Sequence, residues 1–257
     1  PAKKIASRPV SEDERRVLIL GWSSKVPSLL QELERYGGES LRIDVASLKP
    51  VEDRKKLMAI HGFGSIGKSV QHIEANFGHP AALEGLKPER YDNILIVARE
   101  SMSDEAHADA ASASTYLMLR SLLLVEGRGP ELTVEILEKE NLFLFDDRVE
   151  DVIVSPLLIS YFMSQIALRR EMAAVFSEIS DTWGAQIILE PAEDFVPTHE
   201  PVKFSDIEDA AGENGLIALG LQQGSGVDTR LELNPEQDSQ WELVSDDKVV
   251  VLATFEK

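Results

Sequence analysis

The chain has no cysteine among its 257 residues. That excludes disulfides and thiolate metal sites, and it fits a reducing compartment. Long apolar runs are missing too, and nothing approaches the ~20 residues that span a bilayer. The nearest stretch, Leu157 to Leu168, is interrupted by Ser160, Ser164 and Gln165 and stops at Arg169-Arg170, so it reads as a buried or interface helix. Basic residues are in deficit, 26 against 45 acids, for a formal net charge of -19. Such a surface repels a phosphate backbone, which sets nucleic acid aside as a partner. No charged-then-apolar leader follows Pro1, so no secretory signal is read. What is present, 43% hydrophobic residues, suffices for the core of one large or two modest domains.

A second shortage is local. Val17-Leu18-Ile19-Leu20 reads as a strand buried on both faces, and Gly21 permits a sharp turn into a helix. A dinucleotide fingerprint needs further glycines two and five positions on, where backbone approaches a pyrophosphate and the helix packs on the sheet. Ser23 and Val26 stand there. The positions of such a site are therefore Gly21, Trp22, Ser23 and Ser24. Asp44, the one acid in the second strand, precedes the strand end where a ribose-binding carboxylate sits.

Strand and helix then alternate. Residues 27–36 form a helix with Leu29, Leu30 and Leu33 on one face; 41–45 is a strand, 50–58 a charged helix, 70–75 a strand and 80–86 a short helix. The clearest strand, 91–98, precedes a long alanine-rich helix, 104–124, capped by Ser103 or Asp104. Short strands at 132–137 and 151–154 follow, and Ser155-Pro156 opens one long helix to about Ile179. Beyond Trp183, strands at 186–189, 215–221, 230–233 and 248–253 surround a helix at 204–211, capped by Ser205 or Asp206. The class is α/β: a Rossmann-like doubly wound parallel sheet over 17–154, a crossover helix over 155–182, and a small strand-rich α+β lobe over 183–257, with 1–16 as a linker or tail.

Gly62 to Ser69 satisfies G-x-x-x-x-G-K-[ST] at every position, with Lys68 as its lysine. A phosphate-binding loop requires a buried strand leading in and a helix leading out. Here the lead-in is charged and helical and the lead-out β-like, so a glycine-rich connection is expected rather than an NTPase site. The five histidines, His61, His72, His79, His107 and His199, show no metal-binding spacing and are expected at surfaces or caps. No G-x-S-x-G elbow is present. Ser112, Ser114 and Thr115 are expected on a helix packed tightly against a neighbour. Asp146-Asp147 and Glu150-Asp151, then Glu178 and Asp181, then Glu190, Glu193 and Asp194, mark strand and helix ends; carboxylates converging from such ends suit calcium, and a solvated acidic rim is the alternative.

The order of elements resembles the regulator-of-potassium-conductance (RCK) domain, with Asp151-Val152-Ile153-Val154-Ser155-Pro156 similar to the D-x-V-x-S-P stretch that opens the crossover segment of calcium-gated potassium channels. The sequence more closely resembles the CASTOR/POLLUX ion channels, at the second of their tandem RCK domains. Gly21-Trp22, the strand at 91–98 with Glu100-Ser101 after it, Leu233-Asn234-Pro235 and the ending at 241–253 carry the likeness. The resemblance implies a non-enzymatic gating-ring domain on the cytoplasmic face of a cation channel. It would be a homo-oligomer with a tandem RCK neighbour and a membrane pore, and 156–179 would carry much of the assembly surface through Leu157, Leu158, Tyr161 and Phe162. It implies calcium as ligand, with Asp151 in the matching position and Glu178 and Asp181 as further acids, and it leaves a nucleotide in the cleft as a second ligand. A NAD(P)-binding oxidoreductase and a P-loop NTPase stand as alternatives.

Overall fold

The structure, a computed structural model, describes residues 14–37, 40–60, 62–63, 70–99, 104–123, 129–145, 151–181, 184–224 and 229–255. The chain divides into a compact unit ending at Ser164 and a second beginning at Gln165. The first holds six parallel strands: β1 (Arg15–Leu20), β2 (Leu41–Ser47), β3 (Val70–Glu74), β4 (Asn93–Ile96), β5 (Glu131–Ile136) and β6 (Val152–Val154), in the order β3-β2-β1-β4-β5-β6. The connecting helices are α1 (Val26–Gly37), α2 (Val51–Ile60), α3 (Pro80–Leu86) and α4 (Glu105–Leu123).

Unbroken apolarity over Val17–Leu20 of β1 reflects two cores. Leu18 and Leu20 face a cluster with Tyr116, Leu119 and Val134. Val17 and Ile19 face the other layer, with Trp22, Leu30, Val45 and Met58. Period-2 alternation puts successive side chains on opposite faces, so a central parallel strand must be apolar throughout. The cap of α4 is Asp104, whose Oδ1 accepts the His107 amide at 2.8 Å. Two further carboxylates hold neighbouring segments: Glu74 accepts the Val51 amide at the start of α2, and fully buried Asp109 on α4 accepts the amides of Leu137 and Glu138 and the Asn141 side chain in the segment after β5. Ser112 and Thr115 are buried on α4, while Ser114 is exposed.

The expected single helix from 155 to 179 is two. α5 (Ser155–Leu168) ends before Arg169, and α6 (Met172–Ile179) follows a tighter turn in which the amides of Met172, Ala173 and Ala174 bond three residues back rather than four. No proline or glycine marks the break, so residue type gave no warning of it. The division between units falls inside α5.

The second unit contains a four-stranded antiparallel sheet of β7 (Gly184–Pro191), β9 (Ile217–Gln223), β10 (Arg230–Leu233) and β12 (Lys248–Phe255) in the order β10-β9-β12-β7. A separate pair joins β8 (Pro201–Lys203) to β11 (Gln240–Glu242); these three-residue strands are too short to show in the sequence pattern. Helix α7 (Phe204–Glu213) buries Phe204 and Ile207 with Leu221, Val249 and Val251. Its cap differs from the expected Ser205 or Asp206. Lys203 occupies the cap, and Asp206 reaches back to accept the Lys203 amide at 3.0 Å, the reciprocal half of a capping box. Aspartate is favoured at the third helical position as well as at the cap, which is why residue type alone does not tell the two apart.

Candidate functional site

Strand order reverses between β1 and β4, and in a doubly wound sheet the crevice at the carboxyl ends of such strands is where ligands bind. Gly21 stands at that point with φ +117°, donating its amide to Ala46 O at 2.9 Å. A Cβ on Gly21 would lie 2.5 Å from Val97 O, so only glycine lets the end of β4 come this close. Ser23 and Val26 are buried, and their side chains occupy what the second and third fingerprint glycines leave open.

The mouth of the crevice is closed by charge. Lys25 pairs with Glu135, at the end of β5, and also donates to Ser155 Oγ at 3.3 Å. Glu135 is buried, and its other oxygen accepts the Ala98 amide at 3.1 Å. A pyrophosphate here would meet a carboxylate where a dinucleotide site offers free amides, so these residues do not fit that group. The Lys25–Glu135 ion pair thus joins the start of α1, the segment just after β4 and, through Lys25, the first residue of α5.

Behind the mouth, Trp22 is packed rather than open. The Arg54 guanidinium lies 5.7 Å from the centre of its ring and the His72 ring 6.0 Å away. Arg54, on α2, is fully buried; it donates to Val45 O and Ile73 O, both at 2.9 Å, and so ties β2 to β3. Burial pushes the guanidinium below its ordinary pKa, against an opposing pull from Glu74. Ser23 Oγ, Arg54 Nε and His72 Nδ1 are buried without a hydrogen-bond partner. His72 therefore departs from the surface or capping role expected of it.

Burial first, then the charges of Arg54 and Lys55, depress the His72 pKa from 6.5 to about 4. The folded state thus binds this proton more weakly than the unfolded chain. Stability from neutral His72 is complete above about pH 6.5 and is lost as pH falls toward 4. Melting the protein beside His72→Asn across this range should show the wild type losing stability relative to the variant; parallel pH profiles would refute the assignment.

Asp44 lies opposite Leu18, three residues before the end of β2, and accepts the Tyr91 hydroxyl at 2.6 Å. It is not at the strand end with Gly21. Burial, and then the hydrogen bond to Asp44, raise the Tyr91 pKa above its ordinary value. Tyr91→Phe removes a hydrogen bond to a charged, part-buried acceptor and should cost about 1.5–3 kcal/mol in denaturant titration. No measurable loss would mean that water replaces the hydroxyl.

Asp151 accepts the Tyr116 hydroxyl at 2.6 Å, which anchors the start of β6 to α4. Glu178 and Asp181 belong to the second unit, where the Glu178 carboxylate lies against Gly184 and the Asp181 carbonyl accepts from Gln186. Among the described residues no group of three or more histidines or acids is placed to hold a metal ion. Asp146, Asp147 and Glu150 lie outside the described residues, as do His61 and Gly64 to Ser69. The elements flanking that last segment are described: α2 leads in and β3 leads out, the reverse of a phosphate-binding loop. No described helix is long and apolar enough to cross a membrane.

No protein-family model matches the chain. It is 25% identical to the ion channel DMI1 of Medicago truncatula, a match covering 94% of this chain and 31% of that protein. To the probable ion channel POLLUX of Oryza sativa subsp. japonica it is 24% identical, over 93% of this chain and 28% of the relative. The chain thus spans less than a third of the curated relatives it matches. Among solved structures it is similar to the human SLO3 gating ring, with TM-score 0.66 and 12% identity over 99% of this chain and 51% of that one, a likeness of fold.

Proposed function

From a chain whose curated relatives are CASTOR/POLLUX-type ion channels and whose fold is like that of a gating ring, we propose a regulatory module of a cation channel. It sits on the cytoplasmic side, assembles with copies of itself, and passes ligand binding to a pore. The observation that carries this reading is the match to an ion channel over 94% of the chain. The module binds and transmits; it is not read as an enzyme.

Within the first unit, the contact from Lys25 to Ser155 Oγ supports a route from crevice to helix. Any ligand that competes for Lys25 or Glu135 alters what holds the first residue of α5. None of the α5 side chains is buried, which supports its proposed role in self-association. Calcium is the first ligand to test because of the family likeness, with Asp151 in the first unit and, separately, Glu178 and Asp181 in the second as proposed oxygen donors; a nucleotide is the second.

The test combines sedimentation with a thermal-shift screen of calcium, magnesium, NAD and ATP, since a ligand of the folded state raises stability by RT ln(1 + [L]/Kd). We expect an oligomer and a raised melting temperature with at least one ligand. A monomer at every concentration, indifferent to all four, would overturn the reading.

A further inference from the structure

At the carboxyl end of β5 the chain builds a site for an ammonium group and fills it with its own. Val134 and Ile136 belong to the core layer of Leu18 and Leu20, so strand alternation turns Glu135, between them, to the opposite face, the one that carries α1. Its carboxylate is 9% exposed, and one oxygen is fixed by the Ala98 amide at 3.1 Å. The other oxygen accepts the Lys25 ammonium, which also donates to Ser155 Oγ at 3.3 Å. These two acceptors sit on a strand and on the first residue of a helix, so they stay in place when the ammonium leaves. The donor is held less firmly. Lys25 extends from the turn before α1 with its side chain 45% exposed, and it regains rotamer freedom on swinging into water.

We propose that this site takes a primary ammonium group of an aliphatic polyamine, which replaces Lys25 between Glu135 and Ser155. The inference rests on the regulatory reading above and names a ligand class for its crevice. Three observations carry it. First, a buried carboxylate turns phosphates away and attracts cations, and two oxygens suit the N–H donors of an ammonium better than a calcium ion, which takes about six to eight.

Second, acids for a further ammonium lie at the same end of the sheet. A monoamine competes poorly with a tethered lysine, whose effective concentration is high, so a second point of attachment is needed. Asp104 and Glu105 open α4 beyond β4, and Glu138 follows β5, which puts all three at the strand ends with Glu135. Arg99, also at this end, lies over the Phe77 ring at 4.5 Å, in the core layer away from α1. Third, a net charge of -19 gathers polycations and keeps polyanions off. Replacement also carries a signal, since the ligand takes over the contact to Ser155 Oγ and its arrival is felt at the first residue of α5.

Spermidine is the probe, titrated against the full chain at constant ionic strength by thermal shift and calorimetry beside tetramethylammonium, a cation without N–H donors. We expect spermidine to raise the melting temperature and tetramethylammonium to leave it unchanged. Lys25→Ala removes the tethered competitor and should lower the spermidine dissociation constant about tenfold, whereas Glu135→Gln should raise it about tenfold or more. Glu140→Gln alters an exposed acid and should bind as the wild type does. Where Lys25→Ala melts early for want of the ion pair, ethylamine should restore it and potassium should not. Equal binding by the wild type, Glu135→Gln and Glu140→Gln would reveal a polycation spread over an acidic surface and overturn the site, as would no gain in Lys25→Ala. A chain that self-associates yet ignores spermidine loses this site and keeps the regulatory reading. Spermidine held through Glu135 by a chain that never associates keeps the site and denies the self-association in that reading.

Discussion

Arg54→Ala should lower the unfolding free energy by about 3–5 kcal/mol, a large share of what a domain has to lose. Two strand carbonyls, Val45 O and Ile73 O, would lose their donor inside the protein. The side chain is fully buried, so its removal also leaves a void beside Trp22. Arg54→Lys separates these contributions, because an ammonium fills much of the volume yet lacks the planar fork that reaches both carbonyls. Urea titrations of the two variants should show lysine recovering only part of the loss. A cost below about 1 kcal/mol for alanine would show that the neighbouring strands do not depend on this bridge.

Gly21→Ala should cost about 3 kcal/mol or more, since it combines a backbone conformation that side chains rarely adopt with a Cβ placed against Val97 O. The effect extends beyond stability. Val97 precedes Ala98, whose amide is held by Glu135, so displacing the end of β4 loosens the anchored carboxylate at the crevice. In a double-mutant cycle, Gly21→Ala and Glu135→Gln should therefore couple by about 0.5 kcal/mol or more. Strict additivity, or near-normal stability of Gly21→Ala, would mean that the strands separate here without consequence.

Much of the fold was legible because the sheet of the first unit imposes a strong pattern. Runs apolar throughout, such as 17–20 and 94–98, have few other places to go, and the helices between them begin and end at recognisable residues. Gly21 could be placed from its turn, and the reversed surroundings of Gly62 could be judged from the charged helix before it. The site itself was less legible. Glu135 left a trace as an acid set between the buried Val134 and Ile136, where a carboxylate needs a partner. Arg54 left none: in the run Glu52-Asp53-Arg54-Lys55-Lys56 nothing distinguishes the one charge that turns inward. His72 is similar, since its pKa is depressed by burial first and then by the charges of Arg54 and Lys55 on another element, neither of which shows in its own strand. Asp44 and Asp151 illustrate the converse, for both acids were conspicuous in sequence and in the folded chain each is bonded to a tyrosine hydroxyl.

The position of β12 bears on how the protein is made. Formed from residues 248–255, this strand lies in the middle of its sheet, flanked by β9 on one side and β7 on the other. On a ribosome, β7 and β9 emerge first with the place between them empty, and their ladders close only when residues 248–255 have emerged as well. The six-stranded sheet is already complete by Val154, nearly a hundred residues earlier in synthesis. Biosynthesis is thus staggered: the six-stranded sheet can consolidate while the four-stranded sheet waits for the last of its own strands to fill its middle.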